Sequence, residues 1–349
     1  MDDRCAPIRI AVLGAGGLGK AAARIIGMKR QLRLAAICDS RGIVASPDGL
    51  DGARIARMTG DLVEGYRQQQ EAAEPAADRG GVATEAEARH CDDPLGEVLA
   101  MGEELDAVLI ALPNLPNEFI PGVVRRFVET RSSLVVVDVL KRTQAVRHMF
   151  ALDQLVRQAE SVVLTGCGAT PGILAAAAVL AAQSFIDVEK VDIWWGVGMA
   201  NWEAYKATIR EDIAHLPGYP LERAKAMTDE EIEALLERTN GLLELRHMEH
   251  ADDLLLQRVG VVQDEAQVEV GGVMDTRHPK KPVSTTMTLT GTTFEGKRSS
   301  HKFILGDETT MAANVIGPAL GYLKRGVWLK ERGLFGVFGC TDFLPMVVR

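Results

Sequence analysis

The chain has 349 residues, of which 47% are apolar and 25% charged. That is enough for two domains with proper cores, in a composition ordinary for a soluble globular protein. A net charge of −9 speaks against a nucleic-acid partner or an anionic membrane surface.

Cys5, Cys38, Cys91, Cys167 and Cys340 are odd in number and lack metal-site or redox-motif spacing. Reduced thiols in a cytoplasmic protein are therefore expected, with no metal. Met1, Asp2, Asp3 and Arg4 do not open a signal peptide. The longest apolar run, Ile173 to Ala182, is too short to span a bilayer.

In chain order, Ile8 to Leu13 is a short buried-strand pattern. Gly14, Ala15, Gly16, Gly17, Leu18 and Gly19 follow at once, then a helical run from Lys20. A second strand, Leu32 to Cys38, ends in Asp39, twenty residues past Gly19. A lone G-x-G-x-x-G is weak. With a strand before it, a helix after it and an acid at this distance, it predicts a Rossmann dinucleotide-binding domain. The glycines permit a tight turn and close approach of a pyrophosphate to backbone N–H groups at a helix N-terminus. Asp39 is expected to accept hydrogen bonds from the adenosine ribose. Ser40 and Arg41 come next, and an arginine there can accommodate a 2′-phosphate, so NADH and NADPH both fit. Arg41 as a plain solvated side chain fits equally.

Residues 42–95 interrupt the pattern and are expected to form a surface insertion with short helices. The sheet resumes at Leu105 to Leu112. Leu112, Pro113 and Asn114 open a loop at the carboxyl edge that borders the cofactor or the substrate, unless its prolines and asparagines only make a turn. The strand Leu134 to Leu140 carries Asp138, also placed near the cofactor, and runs straight into Lys141. Ligands of open α/β sheets bind beyond the carboxyl ends of the strands, so Lys141 faces the chemistry. Its amine can attack a carbonyl and form a Schiff base. Desolvation at the strand end and the neighbouring Arg142 cation would favour the neutral, nucleophilic amine. From position alone, an exposed lysine at a strand end is as good an account.

Gly166 to Gly172 breaks the pattern. Thr170 is suited to cap the alanine-rich helix that follows, with Pro171 in its first turn. Domain boundaries are expected at 1–166, 167–310 and 311–349. The second domain is predicted as α+β with a mixed or antiparallel sheet, and the third segment as a helix and tail returning to the first domain. On a helix, Tyr205, Thr208 and Asp212 share one face and Lys206 and Arg210 a neighbouring one. Tyr205, Arg210 and Asp212 are candidates for substrate binding, Arg210 for a carboxylate, against the alternative of a solvated helix with intrahelical ion pairs. Thr228 to Glu231 is a capping box. His247 to Asp253 concentrates titratable groups. A general base at His250 is favoured there over a metal site, with a surface charge cluster as competitor. The polar loop Asp275 to Lys281 could bind an anion or simply turn. Asn314, on the helix Met311 to Leu323, is a candidate nicotinamide neighbour. A free sheet face suggests a homodimer or homotetramer.

With these stretches in view, the chain resembles the saccharopine-dehydrogenase-like oxidoreductases. Within them it is most similar to the BioU family of single-turnover biotin-biosynthesis enzymes. The resemblance is carried by Leu13–Gly19, Ala111–Asn117, Leu140–Thr143, Thr165–Gly172, Ala200–Tyr205, Thr208–His215, Met248–Asp253 and Gly306–Thr309. The insertion departs from the family pattern without touching them. The resemblance implies that Lys141 condenses with the ketone of 8-amino-7-oxononanoate and that NAD(P)H reduces the imine. Carbon dioxide then adds as a carbamate, with His250 as base. Return of a hydride to the cofactor and hydrolysis release diaminononanoate carbamate and leave allysine in the protein. The competing expectations are a multiple-turnover saccharopine- or carboxynorspermidine-type dehydrogenase, in which the lysine survives, and a non-catalytic NAD(P)-sensing module.

Overall fold

The computed structural model describes residues 6–73, 86–113, 115–199, 202, 206–307 and 309–349. The chain divides into two compact units, one of residues 1–140, 144–169 and 312–349, the other of residues 141–143 and 170–311.

The first unit is built on an eight-stranded sheet. Its strands are β1 (Ile8–Leu13), β2 (Leu32–Cys38), β3 (Gly42–Ala45), β4 (Glu87–His90), β5 (Ala107–Ile110), β6 (Val135–Asp138), β7 (Val162–Thr165) and a C-terminal strand, Gly336–Gly339. The order is Gly336–Gly339, β7, β6, β5, β1, β2, β3, β4. Pairing is parallel from the C-terminal strand through β2, then antiparallel. The central strands are apolar on both faces, as burial under helices on both sides requires. Chain order reverses between β1 and β5, which is the crevice position for a ligand in a doubly wound sheet. The helix Gly17–Gly27 buries Gly19, Ala22, Ala23 and Ile26, a three-to-four spacing that lays one small-residue stripe on the sheet.

Two features correct the sequence-based expectations. Residues 42–95 are not merely a surface insertion, because β3 and β4 at its two ends extend the sheet. Ile43, Val44, Leu62, Val63 and Tyr66 are buried. The apolar run Gly42–Ala45 continues the edge of β2, and Val63 lies so close to Gly42 that a Cβ there would stand 2.6 Å from its methyl carbon. The C-terminal tail is also more than a tail, since Gly336–Gly339 pairs with β7 in parallel.

The second unit is α+β. Its sheet contains β8 (Phe185–Gly198), β9 (Leu242–Leu245), β10 (Val268–Asp275), β11 (Thr285–Thr293) and β12 (Arg298–Leu305), in the order β12, β11, β8, β10, β9. Only β8 and β10 pair in parallel. The alanine-rich helix Ile173–Ala182 packs on β8 and β11. A separate apolar cluster gathers Ile209, Ile213, Ile232, Leu236, Leu243 and Leu245. It seats the helices Lys206–Ile213 and Asp229–Arg238. The capping box expected at Thr228 and Glu231 is present.

Candidate active site

The glycine turn leaves β1 with Gly14 at φ +109°, and a Cβ there would lie 2.5 Å from the carbonyl oxygen of Ala111. A Cβ on Gly19 would lie 1.7 Å from the carbonyl oxygen of Gly14. These two glycines are required by the turn itself. Gly16 and Gly17 are different, because a Cβ on either meets nothing within 4 Å. Both are exposed, and Ala15 and Leu18 are half-buried. Gly16 caps the helix without a side-chain hydrogen bond, and the first turn carries no acid. An open helix N-terminus over bare backbone fits a dinucleotide pyrophosphate.

Asp39 Oδ1 accepts from the backbone N–H groups of Arg41 and Gly42 at 2.8 and 3.1 Å, so this carboxylate shapes the turn after β2. Ser40 is exposed, and the Arg41 guanidinium is ion-paired with Asp61 at 3.3 Å. Leu112 is half-buried and Pro113 exposed beyond β5, with Leu112 Cδ2 next to Gly14. Asn114 lies outside the described residues, as does Tyr205. Asn314 is half-buried in the first turn of the helix Met311–Lys330.

Asp138, placed near the cofactor from sequence, is 0% exposed. Its Oδ1 accepts from Leu140 N–H, the Thr165 hydroxyl and Gly166 N–H at 2.9, 3.0 and 3.0 Å. Burial pushes its carboxyl up to about 6, and those donors pull against the shift. A sealed carboxylate bonded to the ends of β6 and β7 is an internal staple. Among the described residues its Oδ2 has no hydrogen-bond partner.

Lys141 is half-buried, and its carbonyl accepts from Ala251 N–H at 2.8 Å. Thr143 donates its hydroxyl to Asp253 at 3.2 Å. Segment 141–143 is thus clamped to the loop carrying His250. Arg142, expected as a cation near the lysine, has Nη2 2.8 and 2.7 Å from the two Glu211 oxygens.

Asp212, at the end of the helix Lys206–Ile213, is 4% exposed. Among the described residues its Oδ2 has no hydrogen-bond partner. Burial pushes its carboxyl up to about 6, with the Lys141 charge pulling it down and Glu211 adding to the rise. His215 lies one helical turn on. Burial and the Lys141 charge hold its pKa down, against Glu249 and Glu211.

Arg210, a candidate carboxylate ligand, is tied into the fold. Its Nε donates to the Met227 carbonyl at 3.0 Å and its Nη2 to Asp229 at 2.7 Å. These bonds use two of the five guanidinium N–H donors and tie helices together.

The histidine stretch 247–253 separates into two kinds of residue. His247 is solvent-exposed and 3.7 Å from Glu269. His250 is 4% exposed, with Nδ1 2.6 Å from Asp252 Oδ2. The basic turn at 275–281 is internally satisfied, since Asp275 accepts from Arg277 and His278 N–H groups at 2.9 Å each. Sequence reasoning missed His215, Asp252 and Thr170. Thr170 had been assigned to a helix cap, but Gly172 occupies that position and the Thr170 hydroxyl donates instead to Asp252 at 2.7 Å. The signals were a histidine three residues after Asp212 and an aspartate two after His250.

Thiol chemistry has no foothold at Cys38 or Cys167. Burial pushes the Cys38 thiol up to about 12 and the Cys167 thiol well above its ordinary value, which suppresses the nucleophilic thiolate. Among the described residues no group of three or more His, Cys, Asp or Glu could hold a metal ion. No helix among them is long and apolar enough to cross a membrane.

The chain is 42% identical over 349 residues to (S)-8-amino-7-oxononanoate synthase BioU of Haloferax mediterranei, a match covering 97% of this chain and 99% of the relative. The chain belongs to the BioU family. No protein-family model matches it. Among solved structures it is similar to the C. glutamicum DAP dehydrogenase in complex with DAP, with a TM-score of 0.54 and 15% identity, covering 98% of this chain and 94% of that one. A meso-DAP dehydrogenase mutant from Clostridium tetani, with DAP, gives a TM-score of 0.54 and 14% identity over 96% and 94% of the two chains. Those likenesses show a dehydrogenase-type α/β fold. Lys141 lies in the electrostatic field of Asp212 and His215, and its carbonyl is held by the loop of His250.

Proposed function

We propose that this chain acts in biotin biosynthesis on 8-amino-7-oxononanoate, as a single-turnover enzyme that donates the Lys141 nitrogen to its substrate. The reading is supported by near full-length kinship to a BioU synthase. The observation that carries it is the company of Lys141: a half-buried amine with the buried, unpartnered Asp212 carboxylate oxygen and His215 in its electrostatic field.

The amine attacks the ketone carbon, and loss of water leaves an imine. A carboxylate beside the amine suits the substrate ammonium on the carbon next to that ketone. Asp212 Oδ2 is that acceptor, since a buried oxygen without a donor gains most from a charged one. His215, whose neutral form burial favours, can pass the protons that imine formation moves. The open turn at Gly14 to Gly19, with Asp39 and Ser40 after β2, would hold NAD(P)H, the loop at Leu112 and Pro113 would border it, and Asn314 would lie near its nicotinamide. Arg41 is available to a 2′-phosphate at the cost of its pairing with Asp61. When bound, the cofactor supplies the hydride that reduces the imine and accepts one back from the lysine side of the new C–N bond. Between those steps carbon dioxide adds to a neutral amine, with His250 as the base, and hydrolysis leaves allysine at position 141. The net amine transfer is transaminase-like, and the donor is the protein.

Peptide mass spectrometry tests this. The protein is incubated with 8-amino-7-oxononanoate, bicarbonate and NAD(P)H beside Lys141→Arg. We expect a substrate adduct on Lys141, then an aldehyde there, and neither in the variant. An intact Lys141 with cofactor consumed in large excess over protein would mean a multiple-turnover dehydrogenase instead. Cofactor binding without oxidation would mean a sensing module.

A further inference from the structure

The loop 250–253 carries more order than a base alone needs. Asp252 is 0% exposed. Its Oδ2 receives both the Thr170 hydroxyl at 2.7 Å and His250 Nδ1 at 2.6 Å. Among the described residues its Oδ1 has no hydrogen-bond partner. Two short hydrogen bonds on one oxygen prevent the carboxylate from turning without breaking both. The residues flanking Asp252 hold the lysine segment, through Ala251 N–H to the Lys141 carbonyl and Asp253 to Thr143.

A carboxylate only accepts, so the ring must donate from Nδ1. A neutral imidazole protonated at Nδ1 has a bare lone pair on Nε2. We infer that Asp252, locked by Thr170, is the positioning residue that holds His250 in the Nδ1–H tautomer, with Nε2 free as the proton acceptor for carbamate formation. This rests on the functional reading above.

In that step the amine lone pair forms the N–C bond to carbon dioxide. One C=O π pair moves onto oxygen, the N–H bond breaks, and its proton goes to Nε2. The imidazolium formed lies 2.6 Å from Asp252 Oδ2, whose charge stabilises it without taking the proton. No oxidant or further reactant enters.

Nitrogen NMR of the full chain with labelled histidine reads the tautomer directly, with the His250 signals assigned by their loss in His250→Gln. We expect a protonated Nδ1 and a bare Nε2. A neutral ring protonated on Nε2 overturns the inference whatever the reaction proves to be.

Stage-resolved mass spectrometry reads the consequence. Asp252→Ala is expected to slow carboxylation of the reduced adduct by about 100-fold, the scale of a general base, and to leave adduct formation within about 3-fold. Asp252→Asn, whose amide oxygen can accept the same two donors but without charge, is expected to fall between. Equal losses at both stages would make Asp252 a merely structural residue and overturn the inference. Failure of the unaltered protein to form any adduct would overturn the functional reading instead, and the tautomer would still decide the role of Asp252.

Discussion

At the scale of single residues, buried carboxylates differ in which donors reach them. Asp212 has an acceptor to spare beside an amine. Asp212→Asn is expected to raise the substrate concentration for half-maximal single-turnover rate by about 10- to 100-fold, the value of a charge-assisted hydrogen bond. Rapid-quench adduct formation measures it, and an unchanged value would remove Asp212 from the substrate site. Asp138 takes three donors on Oδ1, has none on Oδ2 among the described residues, and is 0% exposed. Its carboxyl, raised from 3.8 to about 6 in the fold, binds its proton more tightly folded than unfolded. It therefore costs nothing below the unfolded value, costs progressively more stability as pH rises through that window, and reaches a plateau of about 3 kcal/mol above it. Asp138→Asn keeps an acceptor for all three donors. The stability gained by the variant should grow between about pH 4 and 6 and then level off. Thermal melts across that range check this, and a difference independent of pH would refute it.

At the scale of elements, the glycine turn separates folding from binding. Gly19→Ala forces a Cβ into the Gly14 carbonyl, and a backbone clash of this kind should cost more than about 2 kcal/mol. Gly16→Ala meets no protein atom within 4 Å, so its melting temperature should stay within about 2 °C of the parent, as surface changes usually do. Its NADH affinity should nevertheless fall by about 10-fold or more, since the new methyl occupies the space proposed for the pyrophosphate. Thermal melts and fluorescence titration separate the two effects. An alanine at Gly16 that binds NADH normally would move the cofactor elsewhere.

At the scale of the whole molecule, the proposed chemistry consumes the protein. Product formed per chain should therefore plateau at about one however much substrate and cofactor are supplied, because the nucleophile is converted to an aldehyde that cannot form the same imine. Quantifying product against active chains over an extended incubation checks it. A yield well above one product per chain would require a lysine that survives. The homodimer or homotetramer expected from sequence stands as a proposal, read by light scattering of the full chain.

The α/β architecture was legible along the chain because its signals are local. Val135–Asp138 and the other buried strands of the first sheet are short apolar runs. The glycine turn declares itself by spacing, and the Thr228 box by residue type. Lys141 could be singled out because a strand end precedes it and because its neighbours match a family motif. The roles of the polar residues around it were not legible. In sequence Arg210 is a candidate carboxylate ligand or an ion-paired helix residue and Arg142 a cation near the lysine, and only folding brings Asp229 and Glu211 to them. Thr170 looks like a cap until the chain sets Asp252, eighty-two positions on, against its hydroxyl. Periodicity and composition report which side chains must be buried. Which buried donor meets which acceptor depends on long-range approach, and that pairing decides what a buried carboxylate can do.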